Sequence, residues 1–333
     1  MTTKAKALAV IPIVTADAGM RAFVCEVTGE EIPLPECLAC SERSAPGCSM
    51  FPAYIHQIVN DPRPHDFSQR LAKAHGADFG ISVTELIYCP RKFRLKMEHS
   101  WTEKPSDFYA RFSGTAIHAA LEDYEGAGIA EERLVATFDY RGKTILFSGK
   151  PDLVTYSDAG WLITDYKRTG WPPRSSYSYT CPKCYEVILS DITDRRGIGG
   201  ANKPLYCPDC DENFTRRQVH QITHLPEAKL AHATQINLLA LLLNKNEEEY
   251  ASILAEKHGI AVSDASPVFS GRIVYMGPQN ILPLPVEVDI ESARTLLRAR
   301  LTVLLRPELP PKDPLEGWEC KYCPVAAQCD AAA

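Results

Sequence analysis

Residues 149–167 read GKPDLVTYSDAGWLITDYK, two β-rich arms on either side of a run of turn formers. The arms are 151–156 and 161–167, joined by Ser157, Asp158, Ala159 and Gly160. A loop of those residues sets the register: Tyr156 faces Trp161, Val154 faces Ile163, and Asp152 falls opposite Asp165. Opposed side chains of an antiparallel pair have Cβ atoms about 4.5–5.5 Å apart, and like charges there repel. Two devices offset the repulsion. Lys167, two residues past Asp165, shares its face, and a divalent cation would take both carboxylates as oxygen ligands. The hairpin alone fits equally a metal cradle with an attached lysine and a solvated hairpin whose lysine screens two surface aspartates.

The chain around it has 333 residues, 45% of them apolar, enough for a full core and about two domains with small appendages. A formal charge of −6 gives no global attraction to nucleic acid, so binding there would need local basic patches such as Arg91, Lys92, Arg94 and Lys96. No apolar run is long enough to span a bilayer. The N-terminal KAKALAVIPIVTADAG faintly resembles a signal peptide, but Pro12 interrupts it and a buried strand explains it as well. The expectation is a cytoplasmic protein without a membrane partner.

The twelve cysteines sort into three sets of four. The central set, Cys181, Cys184, Cys207 and Cys210, has two C-x-x-C knuckles, a spacing suited to tetrahedral Zn²⁺. The N-terminal set, Cys25, Cys37, Cys40 and Cys48, has one close pair; it reads as a zinc module, with an iron-sulfur alternative open. Cys89 joins Cys320, Cys323 and Cys329 as the third. Disulfides are the competing reading, but paired knuckles in a chain this large favour thiolate-metal sites in a reducing compartment.

Residues 1–60 form a cysteine-rich N-terminal module and 61–77, which opens with DPRPHD after Asn60, a linker; 78–333 form the main domain, interrupted by an insertion at 177–217. Ser82 and Glu85 have capping-box spacing, predicting a short helix that ends near Cys89 before Pro90. A helix over SGTAIHAALEDYE carries Ile117, Ala120, Leu121 and Tyr124 on one stripe, with His118 at its margin. PEAKLAHATQINLLALLLNK predicts a second helix with Pro226 in its first turn and Leu238, Leu239, Leu241 and Leu242 facing a sheet. A strand over GRIVYMG and an amphipathic helix over ESARTLLRARLTVLL precede the last cysteines. The insertion's Arg195, Arg196, Lys203, Arg216 and Arg217, with Tyr177, Tyr179 and Tyr206, suit phosphate pairing and base stacking, or equally a solvated or protein-docking face.

Taken together, GTAIH, GKPD, DYK and QINLL, in that order and with cysteines at both ends of the domain, resemble the RecB-type nucleases of the PD-(D/E)XK superfamily, most closely the CRISPR-associated RecB-like exonucleases. The resemblance covers about Ile81 to Asp330, the insertion excluded. It implies an α/β, restriction-endonuclease-like core with an iron-sulfur clasp; the zinc-ribbon insertion and the N-terminal cysteine-rich module have no counterpart in the family pattern and rest on their own residues. It further implies Mg²⁺ or Mn²⁺ held by His118, Asp152, Asp165 and the main-chain carbonyl of Tyr166, with Lys167 and Gln235 completing the catalytic set, and a [4Fe-4S] cluster on Cys89, Cys320, Cys323 and Cys329. The implied activity is DNA hydrolysis at single-stranded ends or overhangs, trimming prespacers beside a CRISPR integrase. Repair with a helicase partner, or a DNA-binding scaffold of weak activity, are the alternatives. One position departs from the pattern: the family's tyrosine four residues after the helix glutamine is Leu239 here.

Overall fold

The computed structural model describes residues 11–12, 14–15, 18–43, 48–60, 66–122, 126–193, 204–263 and 267–332, except the side chains of 110–111 and 118–122. Near the N-terminus, β1 (Gly19–Val24) and β2 (Glu31–Pro33) form an antiparallel pair, followed by α1 (Leu34–Glu42) and α2 (Pro52–Val59). Both helices carry proline in the first turn, where its missing N–H costs nothing. Phe23, Tyr54 and Ile55 make a small core beneath them.

The stretch 61–77, expected to be a linker, is structured over much of its length. Residues 61–65 lie outside the described residues, but α3 (Phe67–Ala74) follows and packs on β3 (Phe79–Ser82). Gln69 bonds both backbone groups of Gly80, donating to its carbonyl at 2.6 Å and accepting from its N–H at 3.2 Å. A Cβ on Gly80 would lie 1.9 Å from the Ser68 carbonyl oxygen, so only glycine lets helix and strand approach this closely. Gly80→Ala should therefore force the two backbones apart and cost about 3 kcal/mol, read as a lowered urea midpoint.

From β3 the chain enters α4 (Val83–Ile87), whose capping box is formed: Glu85 N–H donates to Ser82 Oγ while Ser82 N–H donates to the Glu85 carboxylate. Cys89 is the N-cap of α5 (Pro90–Glu98), with Pro90 at its first position, so this proline starts a helix as well as ending one. Next come β4 (Ser100–Glu103) and α6 (Tyr109–Glu122). β4 pairs in parallel with β1, so residues 1–60 share a sheet with the main domain.

β5 (Ile129–Ala130), β6 (Leu134–Tyr140), β7 (Lys143–Gly149), β8 (Leu153–Ser157) and β9 (Gly160–Arg168) follow. β10 (Ser176–Thr180), β11 (Val187–Ile192), β12 (Leu205–Cys207), β13 (Glu212–Phe214) and β14 (His220–His224) build the insertion, which extends a little beyond 177–217 at either end because β10 pairs with β14. The chain then returns through α7 (Leu230–Leu243), α8 (Glu247–His258), β15 (Phe269–Met276), β16 (Ile281–Val286), α9 (Ile290–Leu304) and α10 (Ala326–Ala331).

The result is a mixed α/β fold. Its main sheet runs β16-β15-β9-β8-β5, with β15 parallel to β9 and the other pairs antiparallel. A second sheet, β3-β7-β6, shares the same hydrophobic core. α7 is the helix at its centre: Ile236 and every residue from Leu238 to Leu243 are buried, as expected of a helix apolar on all sides. It begins at Leu230 rather than Pro226, because the Lys229 N–H donates to the Tyr275 hydroxyl at 2.9 Å and holds Lys229 as an extended N-cap. No helix among the described residues is long and apolar enough to cross a membrane.

Candidate active site and metal centres

The β8–β9 hairpin has the register expected from its sequence. Tyr156 pairs with Trp161 and Val154 with Ile163, although the connection is shorter than anticipated, Ser157 and Gly160 themselves being paired around Asp158 and Ala159. Gly160 sits at φ +97°, with the Val268 carbonyl only 2.4 Å from where a Cβ would stand. The same register, carried one residue beyond Leu153 opposite Thr164, sets Asp152 against Asp165. Both carboxylates are inside the protein, Asp152 at 4% exposure and Asp165 at 0%. These are not surface aspartates screened by a lysine.

Asp165 is gripped from two elements. Lys167 Nζ lies 2.7 Å from its Oδ2, and Gln235 on α7 donates to its Oδ1 at 2.9 Å. Asp152 is held through its opposite strand, accepting the Tyr166 N–H at 2.5 Å, while its own carbonyl accepts from Glu131. Burial works against the Lys167 ammonium, but the charges of Asp165 and Asp152 and the nearby Tyr88 phenol outweigh it and raise its pKa. Lys167 is therefore a fixed cation at neutral pH, within electrostatic reach of both acids. His118 falls on α6, but its side chain lies outside the described residues.

Two further groups at this site escaped the sequence reading. Tyr275 on β15 is level with Lys167 across the parallel pair, and its hydroxyl meets His232 Nδ1 at 2.9 Å. Burial, with the positive charges of Lys167 and Lys229, pushes the His232 pKa down to about 3, so the imidazole is neutral. His232 stands three residues before Gln235 and thus on the same helix face, a signal the helical period contains. The register that brings Tyr275 alongside carries no such local signal. Leu239, where the family pattern has tyrosine, is 1% exposed, and one of its methyls would lie 2.7 Å from a Cβ on Gly149. Leu239 is thus packed in the core, and a phenol near Lys167 is that of Tyr275.

In the insertion, Cys181, Cys184, Cys207 and Cys210 bring their sulfurs within 4.8 Å of one another and could hold a metal or cluster. The Sγ–Sγ separations are 3.8 Å for Cys181 and Cys210 and 3.5 Å for Cys184 and Cys207. Burial opposes ionisation of Cys181, but the backbone N–H groups of Cys184 and Lys183 bring its thiol down to about 7. Tyr179 is not a stacking platform: it is 1% exposed, and its ring and hydroxyl are covered by Arg216. Tyr206 is exposed, its hydroxyl donating to Asp211 at 2.8 Å, whereas Arg195, Arg196 and Lys203 lie outside the described residues.

Cys89, Cys320, Cys323 and Cys329 line a single cavity of about 70 Å³. Arg91 Nε donates to the Pro310 carbonyl at 2.7 Å and Arg94 to the carbonyls of Leu304 and Arg306, so half of the basic stretch 91–96 fastens the C-terminal segment onto α5. Gln328 completes the docking by donating to the Ser100 carbonyl at 3.0 Å. At the N-terminal set, burial and then the neighbouring sulfurs of Cys48, Cys40 and Cys25 push the Cys37 thiol up to about 11, which places the four within electrostatic range. Among the described residues, only the insertion's cysteines draw three or more sulfurs within 4.8 Å.

No family model matches the chain, and no curated protein does. Among solved structures it is similar to one described as "Crystal structure of SSO0001", at 14% identity and a TM-score of 0.40, with 80% of this chain and 94% of that one covered. A likeness of that size carries no argument about function.

Proposed function

We propose that this protein is a divalent-metal-dependent deoxyribonuclease with a PD-(D/E)XK core that cuts phosphodiesters at single-stranded ends. The observation that carries this reading is the buried pair of Asp152 and Asp165 on adjacent strands, with Lys167 at 2.7 Å and Gln235 at 2.9 Å from Asp165. Burying two carboxylates together is costly unless a cation shares them, and their oxygens suit Mg²⁺ or Mn²⁺. Asp152 and Asp165 would hold the ion, joined by His118 and the Tyr166 carbonyl in the set the resemblance implies. When bound, it supplies an acidified water and positive charge at the phosphate. Lys167 offsets the developing phosphate charge and orients the attacking water. Gln235 fixes the carboxylate of Asp165, and neutral His232 holds the Tyr275 hydroxyl without adding a competing cation.

The two outer metal assignments follow from size. A tetrahedral site with Zn–S bonds of about 2.3 Å has edges of about 3.8 Å, and the insertion's 3.5 and 3.8 Å separations support zinc as the ion there. The clasp cysteines surround a space instead of converging on a point, which suits a [4Fe-4S] cluster. The resemblance extends this reading to trimming DNA ahead of CRISPR spacer integration.

The test is purification without air, iron and zinc analysis, and digestion of end-labelled single- and double-stranded DNA with Mn²⁺, Mg²⁺ or neither. The expected result is brown protein carrying zinc that shortens single strands only with added divalent ion. Full binding without cutting under every condition would identify a scaffold instead.

A further inference from the structure

Beside the clasp, a groove of about 710 Å³ runs between α5, the C-terminal segment and the β1–β4 edge. One wall carries Tyr88, Lys92 and Lys96, the two lysines one helical turn apart on α5. The facing wall carries Trp318, Lys321 and Tyr322. Three of these aromatics lie open to solvent, Tyr88 at 38%, Trp318 at 55% and Tyr322 at 65% exposure, an arrangement an apolar core does not explain. Cations accompany rings along the groove: Lys92 Nζ is 4.3 Å from the Tyr88 centroid and Lys321 Nζ 5.5 Å from that of Tyr322.

Four lysines line the groove, Lys104 being the fourth, against the carboxylates of Glu85, Glu103 and Asp107. Each of the three acids already accepts a local hydrogen bond: Glu85 in the capping box of α4, Glu103 from Trp101 Nε1 and Asp107 from the Lys104 N–H. Four ammonium groups against three carboxylates leave the groove lining with one positive charge in excess.

We propose that this groove binds single-stranded DNA, stacking bases on Trp318, Tyr322 and Tyr88 and pairing phosphates with Lys92 and Lys321. Stacking needs exposed base faces, which a duplex hides and a single strand presents. The lysines supply a local, sequence-independent phosphate attraction that the chain's net charge of −6 does not. Cys323 lines both the groove and the clasp cavity, so the clasp that fixes Cys323 also fixes the wall bearing Trp318 and Tyr322. The binding claim stands on the groove alone and would survive the failure of the nuclease reading above.

The experiment measures fluorescence anisotropy of a labelled 15-mer of thymidine, a matching duplex and an acidic peptide of equal charge, using the full chain without added Mg²⁺ or Mn²⁺. Trp318→Ala with Tyr322→Ala should weaken 15-mer binding about tenfold or more, and Trp318→Phe should keep most of it. Lys321→Gln should flatten the salt dependence by about 0.7 in the log–log slope. Unchanged iron and zinc content and melting temperature establish that the variants are folded. Equal 15-mer affinity in wild type and double variant overturns the proposal, as does a preference of the wild type for the duplex or the peptide. If the wild type cuts but binds no better than the groove variants, the groove falls and the nuclease stands; if the wild type binds through these residues and never cuts, the groove stands and the nuclease falls.

Discussion

Asp165→Asn lowers metal-dependent cutting of end-labelled single strands by about a thousandfold or more while leaving strand binding intact. The side chain is fully buried, and asparagine has the same shape, so the fold tolerates the change. Its carbonyl can still accept the Gln235 amide that now lies 2.9 Å from Oδ1. What disappears is charge: the proposed ion would lose a ligand, and Lys167 loses the carboxylate at 2.7 Å that helps raise its pKa. A single-turnover assay with saturating enzyme isolates this chemical defect from binding. Wild-type cutting rates in Asp165→Asn would remove the paired acids from the mechanism.

Cys207→Ser unfolds the insertion without unfolding the molecule. Among the described residues, the fully buried apolar cluster beneath β10 to β14 is small, Tyr179, Phe214 and Val219 with two of the cysteines, edged by half-buried residues such as Ile188, Leu189 and Leu205 and separate from the main core. A cluster that small does not repay the entropy of ordering such a segment. A metal on the four cysteines would supply the difference, structural zinc in peptides being worth roughly 10–16 kcal/mol in apparent terms at neutral pH. Cys207 is fully buried within hydrogen-bonding distance of Cys184, so no other thiol can replace it. The expected result is one zinc fewer per chain and new protease cuts confined to 176–224, with the main thermal transition little changed. An insertion that resists protease in Cys207→Ser would show that its packing suffices without the metal.

The hairpin shows how far local sequence reaches. Alternating residues and a run of turn formers specified which side chains oppose one another on β8 and β9, because strand register propagates from the turn with period two. The capping box at Ser82 and the apolar positions of α7 were legible for the same reason: each depends on residues within one or two turns of one another. Cysteine spacing likewise marked the insertion's four sulfurs, since two close knuckles need only one chain reversal to meet.

Contacts between distant segments were not legible. That Tyr275 stands level with Lys167 depends on the parallel pairing of β15 with β9, set by packing about a hundred residues of chain away from the hairpin. The basic run 91–96 reads as one patch, yet burial divides it: Arg91 and Arg94 anchor the C-terminal segment, and Lys92 and Lys96 remain to line the groove. The start of α7 moved because a hydroxyl from another strand claimed the Lys229 N–H. Local chemistry thus determined the hairpin, its opposed acids and the knuckles, since short-range geometry leaves those few choices. Which acids are buried, which lysines face a groove and which tyrosine joins the site were decided only when sheet and helices packed, because burial belongs to the assembled chain and to no single segment of it.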